Sequence, residues 1–240
     1  MAATVPPDLP PSQPTGPEWT PPPPPPSPPG AAPLPWEQPG YPALEGLYET
    51  AKLFLLRPSE AFSRMSVAGD LGRPLIFAVV LGWLGIIAGQ VYQLLIPGMP
   101  WRYFPGMDRG MDFAVPVVVT IGTMILAPIF ILLGVFIWAA ILHLFLLLAG
   151  GANSGFAATV RVVCYAGATQ VLQIVPLCGG VITFLWSIAL EIVGLAIAHR
   201  TTQGRAALAV LLPLALCCAC AAVIAVAFGA AILALVGASR

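Results

Sequence analysis

Polar and apolar positions divide this chain into a proline-studded front and a long remainder in which apolar runs are separated by short breaks. Residues 74–96 form the first run. At ~1.5 Å per residue this length crosses a hydrocarbon layer of ~30 Å, and Pro74 suits a helix start, where its missing N–H costs little. Residues 97–112 hold Pro97, Pro100 and Pro105 with Trp101, Tyr103 and Phe104, the composition of an interfacial aromatic belt. Residues 114–149 then carry no charge, but as one helix they would reach ~54 Å. The pattern therefore predicts an interfacial lead-in over 114–121 and a second span over 123–148, kinked at Pro128. A Gly-rich turn at 150–155 precedes a third span over 156–177. Cys178-Gly179-Gly180 turns the chain into a fourth span over 181–198. A polar loop over 199–205 leads to a fifth span over 206–236, which contains Pro213.

Ahead of the first span, Leu44, Leu47, Tyr48, Ala51, Phe54 and Leu55 recur at helical spacing, with Glu45, Glu49 and Lys52 elsewhere on the wheel. After Arg57-Pro58, Ser59 can cap a second short helix with Phe62 and Met65 on its apolar side. Both are expected along the inner membrane face, with Arg57, Arg64 and Arg73 reaching lipid head groups; a small soluble cap is the alternative. Residues 1–43 carry most of the proline, including the run Pro21 to Pro26, and are expected to be extended and disordered. They hold no apolar core of signal-peptide length. The expected organisation is a proline-rich cytoplasmic tail (1–43), amphipathic interfacial helices (44–73) and a five-span membrane domain (74–238). The fold class is all-α, a polytopic membrane helical bundle.

Composition supports the bilayer as solvent. With 58% hydrophobic residues, 8% charged residues and a mean hydropathy of +0.90, the chain lacks the polar groups a water-facing surface needs. Lys+Arg and Asp+Glu are balanced at 10 each, which gives no basis for a nucleic-acid surface. Lys52, Arg57, Arg64, Arg73, Arg161, Arg200 and Arg205 fall on one side of a five-span arrangement. By the positive-inside rule that side is the cytoplasm, with the N-terminus inside and the C-terminus outside. Cys217-Cys218-Ala219-Cys220 lacks His partners and a polar setting, so span packing is its expected role rather than a metal site.

Polar residues inside the spans are the candidate chemistry. Glu191 lies near the middle of the fourth span, where an unpaired carboxylate costs about 2.5–3.5 kcal/mol on insertion scales. Counting inward from the cytoplasmic ends places Arg161 at ~6 Å, His143 at ~9 Å and Glu191 at ~10 Å, with Tyr165 one turn deeper than Arg161. This layer is either a polar latch among the spans or an element of a proton or ion path. Gln90, Gln93, Gln170 and Gln173 form i,i+3 pairs suited to interhelical hydrogen bonds. Gly82, Gly85 and Gly89, with a small-xxx-small spacing from Gly85 to Gly89, allow a close helix approach. No phosphate-binding loop, zinc-protease motif, nucleophile elbow or paired acids on a soluble segment is present. No catalytic residue, cofactor or metal is expected.

Several of these stretches resemble a known family. Arg57-Pro58-Ser59-Glu60-Ala61-Phe62, Arg73-Pro74-Leu75-Ile76-Phe77, His143-Leu144, Gly150-Gly151, Phe156 and residues Thr159 to Ala166 are similar to the Yip family, the Ypt/Rab-interacting integral membrane proteins, in its bacterial form. Ile174-Val175-Pro176, Trp186, Gly194, His199 and Arg205-Ala206 continue the likeness. The resemblance covers roughly residues 44–213. It implies five spans, a cytoplasmic N-terminus, residence in the bacterial inner membrane and no enzymatic activity. Eukaryotic members are associated with small GTPases and vesicle traffic and carry an Asp-Leu-Tyr-Gly-Pro type motif; here Asp70-Leu71-Gly72-Arg73-Pro74 lacks the tyrosine. The functional expectation is a membrane scaffold that displays its tail to cytoplasmic partners with aromatic-lined grooves. The alternatives are a small carrier or channel using His143, Arg161 and Glu191, or a membrane-shaping protein.

Overall fold

The computed structural model describes residues 32–95, 114–176 and 178–238. The proline run, the aromatic loop over 97–112 with Arg102 and Arg109, and Arg240 lie outside them. Two short helices, α1 (Ala43–Leu56) and α2 (Pro58–Arg64), lead into the long apolar α3 (Gly72–Leu95). They are followed by α4 (Ala114–Leu148), α5 (Gly155–Ala166) with a 3-10 continuation (Gly167–Ile174), α6 (Gly179–Ala198) and α7 (Gln203–Ala238). The break between α1 and α2 has a local cause. Arg57 precedes a proline and is pushed out of the helical region, to φ −139° and ψ 63°, while Pro58 opens α2. Ser59 does not cap α2; the N-cap position is Arg57, without a side-chain bond.

Five helical segments are long and apolar enough to cross a membrane: Gly72–Tyr92, Val119–Leu148, Gly155–Ile174, Gly179–Ala198 and Gln203–Gly229. The protein is thus an all-α, polytopic membrane bundle. Large apolar side chains such as Ile125, Ile129, Phe130 and Leu133 on α4 and Val223, Val226 and Phe228 on α7 are exposed, as surfaces that meet lipid must be.

The third span is the centre of the bundle. Every residue from Ala158 to Ala166 is buried, and the segment touches α3, α4 and α6. Its change from α to 3-10 geometry also solves a length problem. Twelve α residues rise ~18 Å and eight 3-10 residues ~16 Å, which together cover the hydrocarbon thickness. Tyr92 donates from its hydroxyl to the Ile174 carbonyl, and Thr183 Oγ1 donates to the Thr169 carbonyl over 3.1 Å, joining α3 and α6 to this segment.

The structure adds to three sequence expectations. First, α4 runs unbroken from Ala114 to Leu148 through Pro128, without a separate lead-in over 114–121. A helix longer than the hydrocarbon layer can be accommodated by tilt or by projection into the interface, so excess length alone does not require a break. Second, α1 and α2 spend much of their apolar side on the bundle. Ala51, Phe54, Ala61 and Phe62 are buried, although Leu44, Tyr48 and Leu56 stay exposed. The two helices form a cap, α1 in contact with α5 and α2 in contact with α6. Third, the chain packs earlier than its proline content indicates. Leu34 is fully buried, and Pro35–Glu37 forms a 3-10 turn on the cap.

Candidate functional site

Where the long basic side chain of Arg161 enters the bundle, it meets Glu37 rather than Glu191. Arg161 is 2% exposed; its Nη1 lies 3.7 Å from Glu37 Oε1, and its Nη2 donates to the Asp70 carbonyl over 2.6 Å. That carbonyl belongs to a loop in which Gly69, at φ +100°, takes a left-handed turn that most residues resist. Tyr165, one helical turn deeper, donates its hydroxyl to the same Glu37 oxygen over 2.6 Å. The Tyr165 ring stacks on Phe54 of α1, with centroids 4.9 Å apart and planes inclined by 11°, and leans on Phe77 of α3.

The turn that carries Glu37 is pinned on both sides. Trp36 donates from its backbone N–H to Thr50 Oγ1 over 3.0 Å and from its indole to the Arg73 carbonyl over 2.7 Å. Arg73 answers by donating to the Trp36 and Gln38 carbonyls, at 2.7 and 3.1 Å. Arg64 and Arg57 pair with Glu60 on their own helix. Of the three arginines expected at lipid head groups, Arg57 keeps a side chain 72% exposed, while Arg64 and Arg73 also make contacts within the protein. Arg73 in particular clamps the segment that precedes the cap.

The remaining candidate residues separate into two further groups. Glu191 is 7% exposed and accepts a 2.8 Å hydrogen bond from the Trp138 indole of α4. His143 Nδ1 lies 2.9 Å from Thr159 Oγ1, which lies 2.9 Å from His199 Nε2. Arg161 and Tyr165 are thus brought together, while among the described residues no ion pair or hydrogen bond links either of them to His143 or Glu191. Residues placed at similar depth by counting thus meet different neighbours and do not form one network. Glu37 and Trp138 were absent from the sequence reading. Glu37 sits beside the proline tail, and an indole donor carries no charge that would draw attention to it.

His199 follows α6 and is fully buried. The Ser154 N–H donates to its Nδ1 over 3.2 Å, so a neutral ring carries its proton on Nε2 and offers it to Thr159. Burial, with His143 nearby, pushes its pKa down from 6.5 to about 4. A depressed histidine favours the fold while neutral, so its contribution is complete above about pH 6.5 and is lost as the pH falls toward 4. Thermal unfolding in detergent at pH 5 and pH 7.5 checks this. The wild type is expected to lose about 1–2 kcal/mol more on acidification than His199→Gln.

Gly82 and Gly85 are close-approach positions. A Cβ on Gly82 would stand 3.1 Å from Ile131 of α4, and one on Gly85 would stand 3.1 Å from Gln170 of the 3-10 segment. At Gly89 no atom lies within 4 Å of where a Cβ would stand, so among the described residues the close approaches are at Gly82 and Gly85 of these three. Gln173 donates to Gln170 within one segment, so this pair does not bridge helices. Cys217, Cys218 and Cys220 are free and exposed on α7, and among the described residues no group of three or more His, Cys, Asp or Glu could hold a metal.

Five apolar spans, the third of them buried at the centre of the bundle, define a multi-pass membrane protein. A family model described as the Yip1 domain matches residues 52–225, and the chain belongs to that family of non-enzymatic membrane proteins. Neither the curated proteins nor the solved structures contain a match to it.

Proposed function

We propose that this protein is a membrane scaffold of the cell's inner membrane, which holds its proline-rich N-terminal stretch at the cytoplasmic face for partners with aromatic-lined grooves. The observation that carries the reading is the docking of Leu34 to Gln38. Buried Leu34, the Glu37–Arg161–Tyr165 contact and the Trp36–Arg73 exchange tie the chain to the bundle just after the proline-rich stretch. Orientation supports it. Lys52, Arg57, Arg64, Arg73, Arg161 and Arg205 belong to the cap or to helix ends joined to it or to the adjacent turns, which makes that end cytoplasmic by the positive-inside rule. Five spans then put the C-terminus outside.

The carrier alternative needs a continuous path through His143, Arg161 and Glu191, and their separation into different groups removes its main support. Proximity labelling from an N-terminal fusion tests the scaffold reading, compared with the same fusion lacking residues 1–31. This deletion spares the docked turn. The scaffold predicts a small set of cytoplasmic proteins labelled only by the full chain; an identical set from both fusions, or labelling confined to proteins outside the cytoplasm, would overturn it.

A further inference from the structure

Between α3, α4, the third span and α6 lies a cleft of about 360 Å³ that the scaffold reading does not use. Ile86, Ile131, Val135 and Val163 supply apolar walls, and at Gly134 no atom lies within 4 Å of where a Cβ would stand. Its volume falls in the range of small-molecule sites. Glu191 lines the cleft at 93% burial, complementary to its 7% exposure, and Trp138 satisfies its Oε1. Its other oxygen, Oε2, has no hydrogen-bond partner among the described residues, yet it is not enclosed by protein. Glu191 lines the cleft, so this oxygen is the unpaired acceptor of a lining residue. Of the other polar groups of the lining, Ser187 donates to the Phe184 carbonyl, Thr169 donates to the Ala166 carbonyl, and the Gln170 side-chain oxygen accepts from Gln173.

An acidic oxygen without a partner, at membrane depth and inside an apolar cleft, calls for a donor that can also balance its charge. The geometry points to an intramembrane binding site for a lipophilic ammonium compound, its alkyl body against Ile86, Ile131 and Val135 and its N–H groups donating to Glu191 Oε2. Trp138 is the positioning residue, since its indole holds the carboxyl group in the orientation that leaves Oε2 free.

Binding of radiolabelled dodecylamine to the full chain in phosphatidylcholine nanodiscs tests the site, with unlabelled dodecylamine and dodecanol as competitors. The site predicts saturable binding displaced by the amine and not by the alcohol. Glu191→Gln is expected to weaken it by about tenfold or more, through loss of a charge-assisted hydrogen bond. Gly134→Leu provides a second variant, because Gly134 lines the cleft and no atom lies within 4 Å of a Cβ there, so the larger side chain is expected to narrow the cleft. It is expected to abolish saturable binding while leaving thermal unfolding unchanged. Absence of saturable binding to the wild type, equal displacement by dodecanol, or full binding by a folded form of either variant would overturn the inference.

Discussion

Glu37→Ala is expected to lower the stability of the membrane domain by about 3 kcal/mol, the low end for removing one partner of a buried pair. Arg161 is almost wholly enclosed, and without Glu37 its guanidinium retains a bond to the Asp70 carbonyl but no counter-charge among the described residues. Tyr165 loses its acceptor in the same step. The asymmetry of the pair gives the prediction a second part. Replacing both members by apolar residues removes the charge together with its desolvation penalty, so Glu37→Ala/Arg161→Met is expected to recover most of the loss. Reversible unfolding in mild detergent, followed by circular dichroism for the wild type, both single variants and the double variant, measures the coupling. Equal losses that simply add would mean that the contact contributes nothing.

Gly194→Ala has the next largest expected effect. A Cβ at Gly194 would stand 2.6 Å from Phe62 Cζ and 2.7 Å from Val162 Cγ1, closer than nonbonded atoms can come. Neither neighbour can withdraw easily. Phe62 is 1% exposed and packs edge-on against Phe54 with centroids 4.8 Å apart, while Val162 lies in the buried central span. The added methyl must push α2 away from α6 or distort the ring's surroundings, at a cost of about 2–3 kcal/mol. The expected outcome is a thermal midpoint lower by several degrees. Phe62→Leu/Gly194→Ala is expected to be less destabilised than Gly194→Ala alone, because the smaller side chain relieves the overlap. A midpoint unchanged by Gly194→Ala would show that the cap does not pack against α6 as described.

The spans were legible because membrane helices advertise themselves by length and unbroken apolarity, and each of the five apolar runs corresponds to a helical segment. Counting along a helix gives an expected depth but says nothing about which neighbour a side chain meets. Azimuth was not legible: the high apolarity of α4 and α6 leaves little sequence contrast to say which face holds Trp138 or Glu191. The division expected in α4 failed for a different reason. A length argument says that an upright helix cannot fit, but it does not say that the helix must break. Glu37 was missed because proline content spoke for extended chain, and composition averaged over residues 1–43 hides the pairing of a single Leu-Pro-Trp-Glu turn with Arg73 and Arg161. Trp36 and Leu34, large apolar side chains at the end of a proline-rich stretch, were the available signal.

Hydrogen–deuterium exchange of the full chain in nanodiscs, compared between the wild type and Glu37→Ala, tests most directly whether the tail is tied to the bundle through the turn at Pro35–Glu37. The Trp36 amide, bonded to Thr50, is predicted to exchange slowly in the wild type and rapidly in the variant, while the central span from Ala158 to Ala166 stays protected in both. Rapid exchange at Trp36 in the wild type would contradict the docking and remove the structural support for a tail held at the membrane face.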